Sequence, residues 1–387
     1  MLINGGTRMV IVVSVLAACA ADDSPMMTTD GLSSIALGTA QSCRLDTDGT
    51  ARCWGELGLA GATTIAPAPV AVAGTLRFEQ LTAYGKMVCG VSADSVASCW
   101  GPNDRGQLGL GTIDAGSATP VTVGTSRPFS KIVAGDATSC GINPMGQGLC
   151  WGANALGQVG ADVGPTDVQS PLPLAGALVM REISVSRDFA CGITTAGAAY
   201  CWGSNANGQL GGGGAITGQA GDLKRAPQAV IGGHSWRAIT TGDQFACGIT
   251  TAGAAFCWGS GGSGQLGTGA TTASSTPAAV AGGHVFTSLD AGRDFTCGTT
   301  QSESYCWGAN TYGQLGNGDA SPASSTMPVV VAGAISFAEL RASDGDHVCG
   351  ISSERTAVYC WGRNELGQLG IGAASNTRTA TPTLVTQ

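Results

Sequence analysis

Charged residues, aromatic residues and histidines are scarce in this chain. Of its 387 residues, 11% are charged and 5% are aromatic, and there are 3 histidines. The net charge is −8, and the basic residues are dispersed, with Lys224-Arg225 the one adjacent basic pair. Binding to nucleic-acid phosphates needs clustered Lys and Arg that release counterions. We therefore expect no nucleic-acid partner.

Motifs of catalysis and cofactor binding are also missing. The sequence has no Gly-x-Ser-x-Gly and no His-Glu-x-x-His segment, and three histidines leave little for acid–base chemistry. The glycine-rich segment Gly313–Gly318 is followed by no helical pattern, which a phosphate site would need. Asp46–Gly49 resembles the start of a calcium loop but lacks the later acidic ligand. We expect no enzyme activity, no catalytic residue, no cofactor and no metal.

Cysteine and glycine, by contrast, are abundant. The phrase Cys-Trp-Gly occurs seven times, with the tryptophans 46 to 56 residues apart, and each copy follows another cysteine by about ten residues. A period of this length indicates a propeller, a solenoid or an array. The seven cysteine pairs are Cys43 with Cys53, Cys89 with Cys99, Cys140 with Cys150, Cys191 with Cys201, Cys247 with Cys257, Cys297 with Cys306 and Cys349 with Cys360.

The spacing within a pair predicts a disulfide across a hairpin. Folding the chain back around Ala196 places Ile193 opposite Ala199 and Cys191 opposite Cys201, close enough for a cross-strand bridge. Zinc is the alternative, but zinc sites usually contain a Cys-x(2–4)-Cys step, which this sequence lacks. An even set of cysteines at near-constant spacing indicates a disulfide framework, provided that the protein leaves the reducing cytosol.

One repeat reads as four short strands separated by glycine-rich turns. In the unit Pro277–Gly318 the strands are expected at 278–281, 285–289, 295–299 and 304–307, the pattern of a propeller blade. We therefore predict an all-β, seven-bladed propeller of four-stranded blades over residues 34–387, with one cross-strand disulfide per blade. Repeat one has no proline-led strand before Ser34, so a C-terminal strand at 381–386 is expected to complete the first blade.

The N-terminus resembles a bacterial export signal. Arg8 and the apolar stretch Met9–Leu16 precede Leu16-Ala17-Ala18-Cys19, which resembles the lipobox of bacterial lipoproteins. The stretch is too short to span a bilayer. We expect a signal peptide at 1–18, lipidation of Cys19 and a tether at 19–33. An ordinary cleaved signal peptide is the alternative. The expected location is the bacterial outer membrane, the periplasm or the cell surface.

The residues after each tryptophan resemble a known family. The segments Trp202–Gly211, Trp307–Gly316 and Trp361–Gly370 follow the phrase Trp-Gly-x-Asn-x-x-Gly-Gln-Leu-Gly, which resembles the regulator-of-chromosome-condensation repeat, a seven-bladed propeller. Repeat one departs from the phrase after Gly55. The resemblance also implies a histidine before the third strand of each repeat, and His347 alone occupies that place.

These features favour a non-catalytic, membrane-anchored, exported propeller that binds an unknown protein or glycan, and we expect it to be a monomer. The chain is similar to propeller inhibitors of β-lactamase in the same repeat family, so inhibition of an extracytoplasmic enzyme is the alternative. The family name implies guanine-nucleotide exchange on a small GTPase, which an exported protein would not meet.

A candidate binding face is expected where the turns before the third strand gather. Ordinary solvated turn residues are the alternative interpretation of the same side chains. The candidate residues are Arg187, Asp188, Asp243, Arg293, Asp294, Asp346 and His347.

Overall fold

The computed structural model describes Met1 and residues 31–386, except 59–63, 125–127, 220 and 376–377. In this part of the chain, seven antiparallel sheets of four strands each follow one another in sequence. The predicted all-β propeller with four-stranded blades is confirmed. No helix in the described ranges is long and apolar enough to cross a membrane.

The strands of the first four blades are consecutive within each blade. They are β1 (Leu32–Leu37), β2 (Gln41–Asp46), β3 (Ala51–Leu57) and β4 (Thr64–Ala71); β5 (Gln80–Tyr84), β6 (Met87–Val91), β7 (Ala97–Asn103) and β8 (Asp114–Thr122); β9 (Lys131–Ala134), β10 (Thr138–Ile142), β11 (Gly148–Gly152) and β12 (Val168–Pro173); and β13 (Met180–Val185), β14 (Phe189–Thr194), β15 (Ala199–Ser204) and β16 (Leu223–Ala229).

The last three blades repeat this arrangement. They contain β17 (Trp236–Thr241), β18 (Phe245–Thr250), β19 (Ala255–Gly259) and β20 (Ser274–Ala279); β21 (Ser288–Ala291), β22 (Phe295–Thr299), β23 (Ser304–Ala309) and β24 (Ser324–Val330); and β25 (Phe337–Ala342), β26 (His347–Ser352), β27 (Val358–Gly362) and β28 (Thr379–Leu384).

The first strand of each blade is innermost, and these seven strands contact their neighbours around a central channel. The fourth strand is the outer edge and carries a proline, as Pro277 does in β20. Proline suits an edge because it has no N–H to leave unpaired and it discourages pairing with other chains. The unit Pro277–Gly318 therefore begins one strand too early: β20 pairs with β19 through Cys257 and Ala278, and so it ends the preceding blade.

Because each proline-containing strand ends its own blade, the ring does not close by the expected exchange of a C-terminal strand. The C-terminal strand β28 pairs with β27, with Thr383 opposite Cys360, and blade one is complete with its own four strands. The prediction that 381–386 completes the first blade is wrong, because the proline-led strand follows its Cys-Trp-Gly strand. Blade one also begins at Leu32, so the last residues assigned to the tether belong to β1.

Packing between blades seven and one closes the ring. Trp54 Nε1 donates to the carbonyl of Gln368 at 2.8 Å, and Leu32 and Ile35 share an apolar cluster with Ile351. Five other joints use the same indole bond to a glutamine carbonyl. These bonds join Trp151 to Gln107, Trp202 to Gln158, Trp258 to Gln209, Trp307 to Gln265 and Trp361 to Gln314.

The repeated motif builds these joints. Asn310 Oδ1 accepts from the amide of Leu315 at 3.1 Å, and its Nδ2 donates to the carbonyl of Asp319 at 2.9 Å. Gly316 has φ +67°, and a Cβ there would lie 2.5 Å from Trp361 Nε1, so a larger residue would displace the indole. The Asn and the Gly-Gln-Leu-Gly segment thus form the socket for the next tryptophan.

Seven disulfides join the second and third strands of their blades. Cys191 faces Cys201 and Ile193 faces Ala199, as the hairpin register predicts. All seven Cα–Cα distances are 4.0–4.1 Å, and the predicted bridge in each blade is confirmed. The bridges are Cys43 to Cys53, Cys89 to Cys99, Cys140 to Cys150, Cys191 to Cys201, Cys247 to Cys257, Cys297 to Cys306 and Cys349 to Cys360.

The pairing with the fourth strand is irregular directly after the second cysteine of each bridge, which the sequence did not predict. In blade two the register shifts between Cys99 and Gly101. In blade three it shifts between Cys150 and Gly152. The glycine of each Cys-Trp-Gly phrase pairs with the outer strand again beyond this bulge, as Gly152 does with Val168.

Candidate functional site

The propeller presents two different faces. The turn between the first and second strands lies beside the start of the loop between the third and fourth strands, as shown by the bond from the Ser204 amide to the Asp188 carbonyl at 3.0 Å. The Arg363 amide and Asp346 carbonyl make the same contact, also at 3.0 Å. Antiparallel pairing places the hairpin tips that follow the second strands on the opposite face.

Seven inner turns surround one end of the channel, and we call this surface the mouth. Neighbouring turns touch: the Thr39 amide donates to the Gly85 carbonyl at 2.8 Å, and the Asp243 amide donates to the Arg293 carbonyl at 3.3 Å. A Cβ on Gly242 would lie 2.5 Å from the Gly292 carbonyl, so close approach requires glycine there. The mouth consists of residues 38–40, 85–86, 135–137, 186–188, 242–244, 292–294 and 343–346.

The mouth brings together most of the residues expected at a binding face. Arg187, Asp188, Asp243, Arg293 and Asp294 all lie in its turns. The expected gathering of equivalent turns is thus present, while the part of these side chains in binding stays a prediction. The composition of the mouth is acidic, because its turns contain six aspartates and three basic residues.

His347 and Asp346 are buried and do not belong to the exposed surface. His347 Nε2 is 2.8 Å from Ser42 Oγ, and its Nδ1 is 2.7 Å from Ser343 Oγ. Burial lowers the pKa of His347 to about 3, so the ring is neutral at ordinary pH. Asp346 is 1% exposed and accepts from Arg293 Nη2 at 2.6 Å. Both residues therefore hold blades together.

Sequence reasoning did not single out Tyr84. The Tyr84 hydroxyl donates to Asp243 Oδ1 at 2.6 Å, which joins blade two to blade five across the channel. Burial raises the pKa of Tyr84 well above its usual value, and Asp344 and Asp243 raise it further. The hydroxyl therefore stays protonated and acts as a donor. Nothing in the turn Gly85-Lys86 that follows Tyr84 marks this contact in the sequence.

Two further aspartates of the mouth, Asp136 and Asp344, are not among the seven candidate residues. Asp344 accepts a hydrogen bond from the Thr39 hydroxyl of blade one, and Asp136 follows Gly135 as Asp243 follows Gly242. The repeated Gly-Asp pair is a signal that an alignment of the inner turns would have found.

Asp243 influences the other carboxylates of the mouth. Burial raises the pKa of each, and Asp243 adds a further rise in every case. The pKa of Asp344 reaches about 7, although the Thr39 hydroxyl and the Gly85 amide offset part of the rise. The affected residues are Asp136, Asp188, Asp294, Asp344 and Asp346. The mouth is thus a region of concentrated negative charge.

A cavity of about 340 Å³ in the channel is lined mainly by apolar and polar residues of the inner strands, among them Tyr84. Several of these satisfy amides of the neighbouring strand: Ser184 Oγ accepts from the Thr241 amide at 3.1 Å, and Asp290 Oδ2 accepts from the Ala342 amide at 2.9 Å. These side chains cap strand edges that would otherwise be unpaired. In the described ranges, no three His, Cys, Asp or Glu residues are placed to hold a metal ion.

Two models of the regulator of chromosome condensation (RCC1) repeat match the chain. One matches residues 181–209 and 236–265, and the other matches 99–142, 252–298, 303–349 and 357–387. Together these segments cover more than half of the sequence. The chain belongs to the RCC1-repeat family.

Curated relatives share part of this family region. The human probable E3 ubiquitin-protein ligase HERC6 is 35% identical over 127 residues, which are 31% of this chain and 12% of HERC6. Human HERC3 is 31% identical over 125 residues, with 31% of this chain and 12% of HERC3 covered. The chain thus spans about an eighth of the length of these relatives.

Solved structures support the same fold. Yeast RCC1 (Prp20), bound to Kap60, has a TM-score of 0.74 at 17% identity, with 100% of this chain and 91% of that chain covered. Human WBSCR16 has a TM-score of 0.70 at 18% identity, with 81% and 84% covered. At these identities the likeness shows the fold alone.

Proposed function

We propose that this RCC1-repeat propeller is a non-catalytic binding module, exported and held at a membrane by a lipid on Cys19, and that the mouth receives its partner. The observation that carries the proposal is the convergence of seven turns around one opening of a disulfide-bonded ring. Turns on a rigid scaffold are the usual place for recognition residues. A rigid surface also loses little conformational entropy when it binds.

The disulfides support export. Seven bridges persist in oxidising compartments and are rare in the cytosol, where thiols stay reduced. Cys19 itself, with the predicted signal peptide and most of the tether, lies outside the described residues. A lipid on Cys19 would anchor the propeller, because several acyl chains together bind a membrane stably.

Fractionation of cells that produce the wild type or Cys19→Ser tests the location, with Ala20→Ser as the neighbouring control. We expect the wild type and the control in the membrane fraction, and Cys19→Ser either soluble or unprocessed. A wild-type protein that is soluble outside the cytoplasm, with an N-terminus beyond Cys19, would rule out the lipid anchor.

Cross-linking in intact cells tests the binding role. The mouth variant combines Asp188→Lys and Gln244→Lys, and the control is Asp94→Lys at the hairpin tip between β6 and β7 on the opposite face. One stoichiometric protein or one glycan fragment should be recovered with the wild type and the control, and lost with the mouth variant. If the partner is lost with Asp94→Lys and retained with the mouth variant, the opposite face is the binding surface.

The other functions considered have weaker support. The inhibitor alternative rests on the family resemblance, and tryptophans such as Trp54, Trp202 and Trp258 are buried at joints between blades. Nucleotide exchange rests on the fold that the chain shares with yeast RCC1. Both stay predictions.

A further inference from the structure

We propose that the mouth holds a lysine or arginine side chain from a basic segment of a protein partner, and that Asp344, Asp243 and Tyr84 form the pocket that receives it. This inference rests on the proposed function and adds the chemistry of the partner.

Asp344 has one oxygen without a well-formed hydrogen bond. Thr39 donates to Oδ2 and the Gly85 amide also stabilises the charged carboxylate, whereas Oδ1 is buried and has no hydrogen bond of normal geometry in the described part of the chain. A buried carboxylate oxygen without a full hydrogen bond has lost its water without a complete replacement, which is unfavourable. An N–H group from a partner would supply the missing bond, and a charged donor would make the strongest one.

Tyr84 and Asp243 lie close to Asp344. Among the charges that raise the pKa of Tyr84, Asp344 has a larger effect than Asp243, to which the hydroxyl is bonded. Both carboxylates therefore lie near the phenol oxygen. Tyr84 also lines the channel cavity of about 340 Å³, so the pocket adjoins that cavity.

The surrounding charges favour a cation. Asp136 and Asp243 both raise the pKa of Asp344, so negative charge faces it from two other blades. Two basic residues of the mouth are already paired: Lys86 Nζ is 2.9 Å from Glu56, and Arg293 Nη2 is 2.6 Å from Asp346. Arg187, the third, lowers the pKa of Asp136 and Asp188 and so offsets part of their charge. The charge of Asp243 and Asp344 remains available to a ligand and would steer a basic partner to the mouth.

An organic cation fits better than a metal ion. The carboxylates belong to different blades, and among the described residues no three acidic, histidine or cysteine side chains are placed to hold a metal. An ammonium group has three N–H donors and a guanidinium has five, so one side chain can donate to several separate acceptors.

This pocket predicts proton release on binding. Asp344 has a pKa near 7 in the free protein, and a bound cation favours its charged form. At pH 7 the carboxyl is about half protonated, so binding should release up to about half a proton. Affinity should therefore rise with pH from 5.5 to 8.

The experiment is calorimetric titration with an octalysine peptide at pH 7 in two buffers of different ionisation enthalpy. The wild type should bind and release protons. Asp344→Asn should bind about tenfold more weakly, as expected for a lost charged hydrogen bond, and should release almost none. Asp243→Asn should also bind more weakly. The control Asp94→Asn makes the same charge change on the opposite face and should behave as wild type.

Four results would contradict the proposed pocket. Equal weakening by Asp94→Asn would indicate diffuse attraction, and proton release that persists in Asp344→Asn would assign the proton to another group. If spermidine binds as tightly as octalysine, with the same proton release, the ligand of the pocket is a free polyamine and not a peptide segment. Melting curves of each variant establish that it is folded. If octalysine does not bind while the mouth variant still loses its partner in cells, the cation pocket fails and the proposed function survives.

Discussion

The joint between blades seven and one should contribute as much to stability as an internal joint. Trp54 is fully buried there and donates to the Gln368 carbonyl, which also accepts from Ser42 Oγ at 2.8 Å. Trp151 makes the same bond to Gln107, whose carbonyl accepts a second bond from Ser139 Oγ at 3.0 Å. Substitution of either tryptophan by phenylalanine removes one bond and leaves the carbonyl with its second donor.

The expected cost follows from these contacts. A lost hydrogen bond contributes about 1 kcal/mol, and the smaller ring buries less apolar area, which adds about 1 kcal/mol. Trp54→Phe and Trp151→Phe should therefore each lower the free energy of unfolding by about 2 kcal/mol. Trp202→Phe should cost about 1–2 kcal/mol more, because no second donor to the Gln158 carbonyl is found in the described chain.

Guanidinium denaturation of the three variants with disulfides intact measures these differences, provided that the m-value is unchanged. A negligible effect of Trp54→Phe beside a clear effect of Trp151→Phe would show that the ring is open between blades seven and one. Equal effects of all three variants would contradict the role assigned to the second donor.

Three further predictions concern the whole ring. Replacing Cys297 and Cys306 together by alanine should lower stability by about 2–3 kcal/mol in thermal unfolding, and an unchanged melting temperature would mean that this bridge does not form in solution. Deleting 381–387 removes most of β28 and the buried Val385, so it should expose the edge of β27, lower the melting temperature and promote association; a monomer that melts like the full chain would contradict the pairing of β28. Because burial raises the pKa of Asp344 to about 7, this carboxyl binds more protons in the folded state than in the unfolded chain, so its contribution to stability should fall as pH rises from about 4 to 7, by at most about 1.4 kcal/mol per pH unit. Buried His347, whose pKa is lowered to about 3, acts in the opposite direction up to about pH 6.5. Urea unfolding between pH 4.5 and 7.5 therefore compares the wild type with Asp344→Asn, and a stability difference between the two that does not change with pH would refute the prediction.

Much of the blade was predictable because its determinants are local. The disulfide between Cys191 and Cys201 follows from hairpin register over ten residues, and the fourfold strand pattern follows from the turns. The start of a blade was not predictable from the period, since a repeat has the same length wherever it is cut. For this reason the strand containing Pro277 was assigned to the wrong blade, and the closure was misjudged with it.

The site was predictable only in part. Polar turn residues such as Arg187 and Asp188 were found because equivalent turns of a propeller share a face. The contact between Tyr84 and Asp243 joins residues 159 positions apart, so it depends on closure of the ring and leaves no local pattern. His347 resembles an exposed turn residue in the sequence, yet Ser42 from another blade covers it.

Site-specific photo-cross-linking in intact cells tests the central claim most directly. A benzoylphenylalanine at Gln244, an exposed residue of the mouth, is compared with the same group at Asp94, an exposed residue of the opposite face. If the mouth receives the partner, one discrete adduct should form from position 244 and none from position 94. An adduct from position 94 alone would contradict the assignment of the mouth as the binding surface.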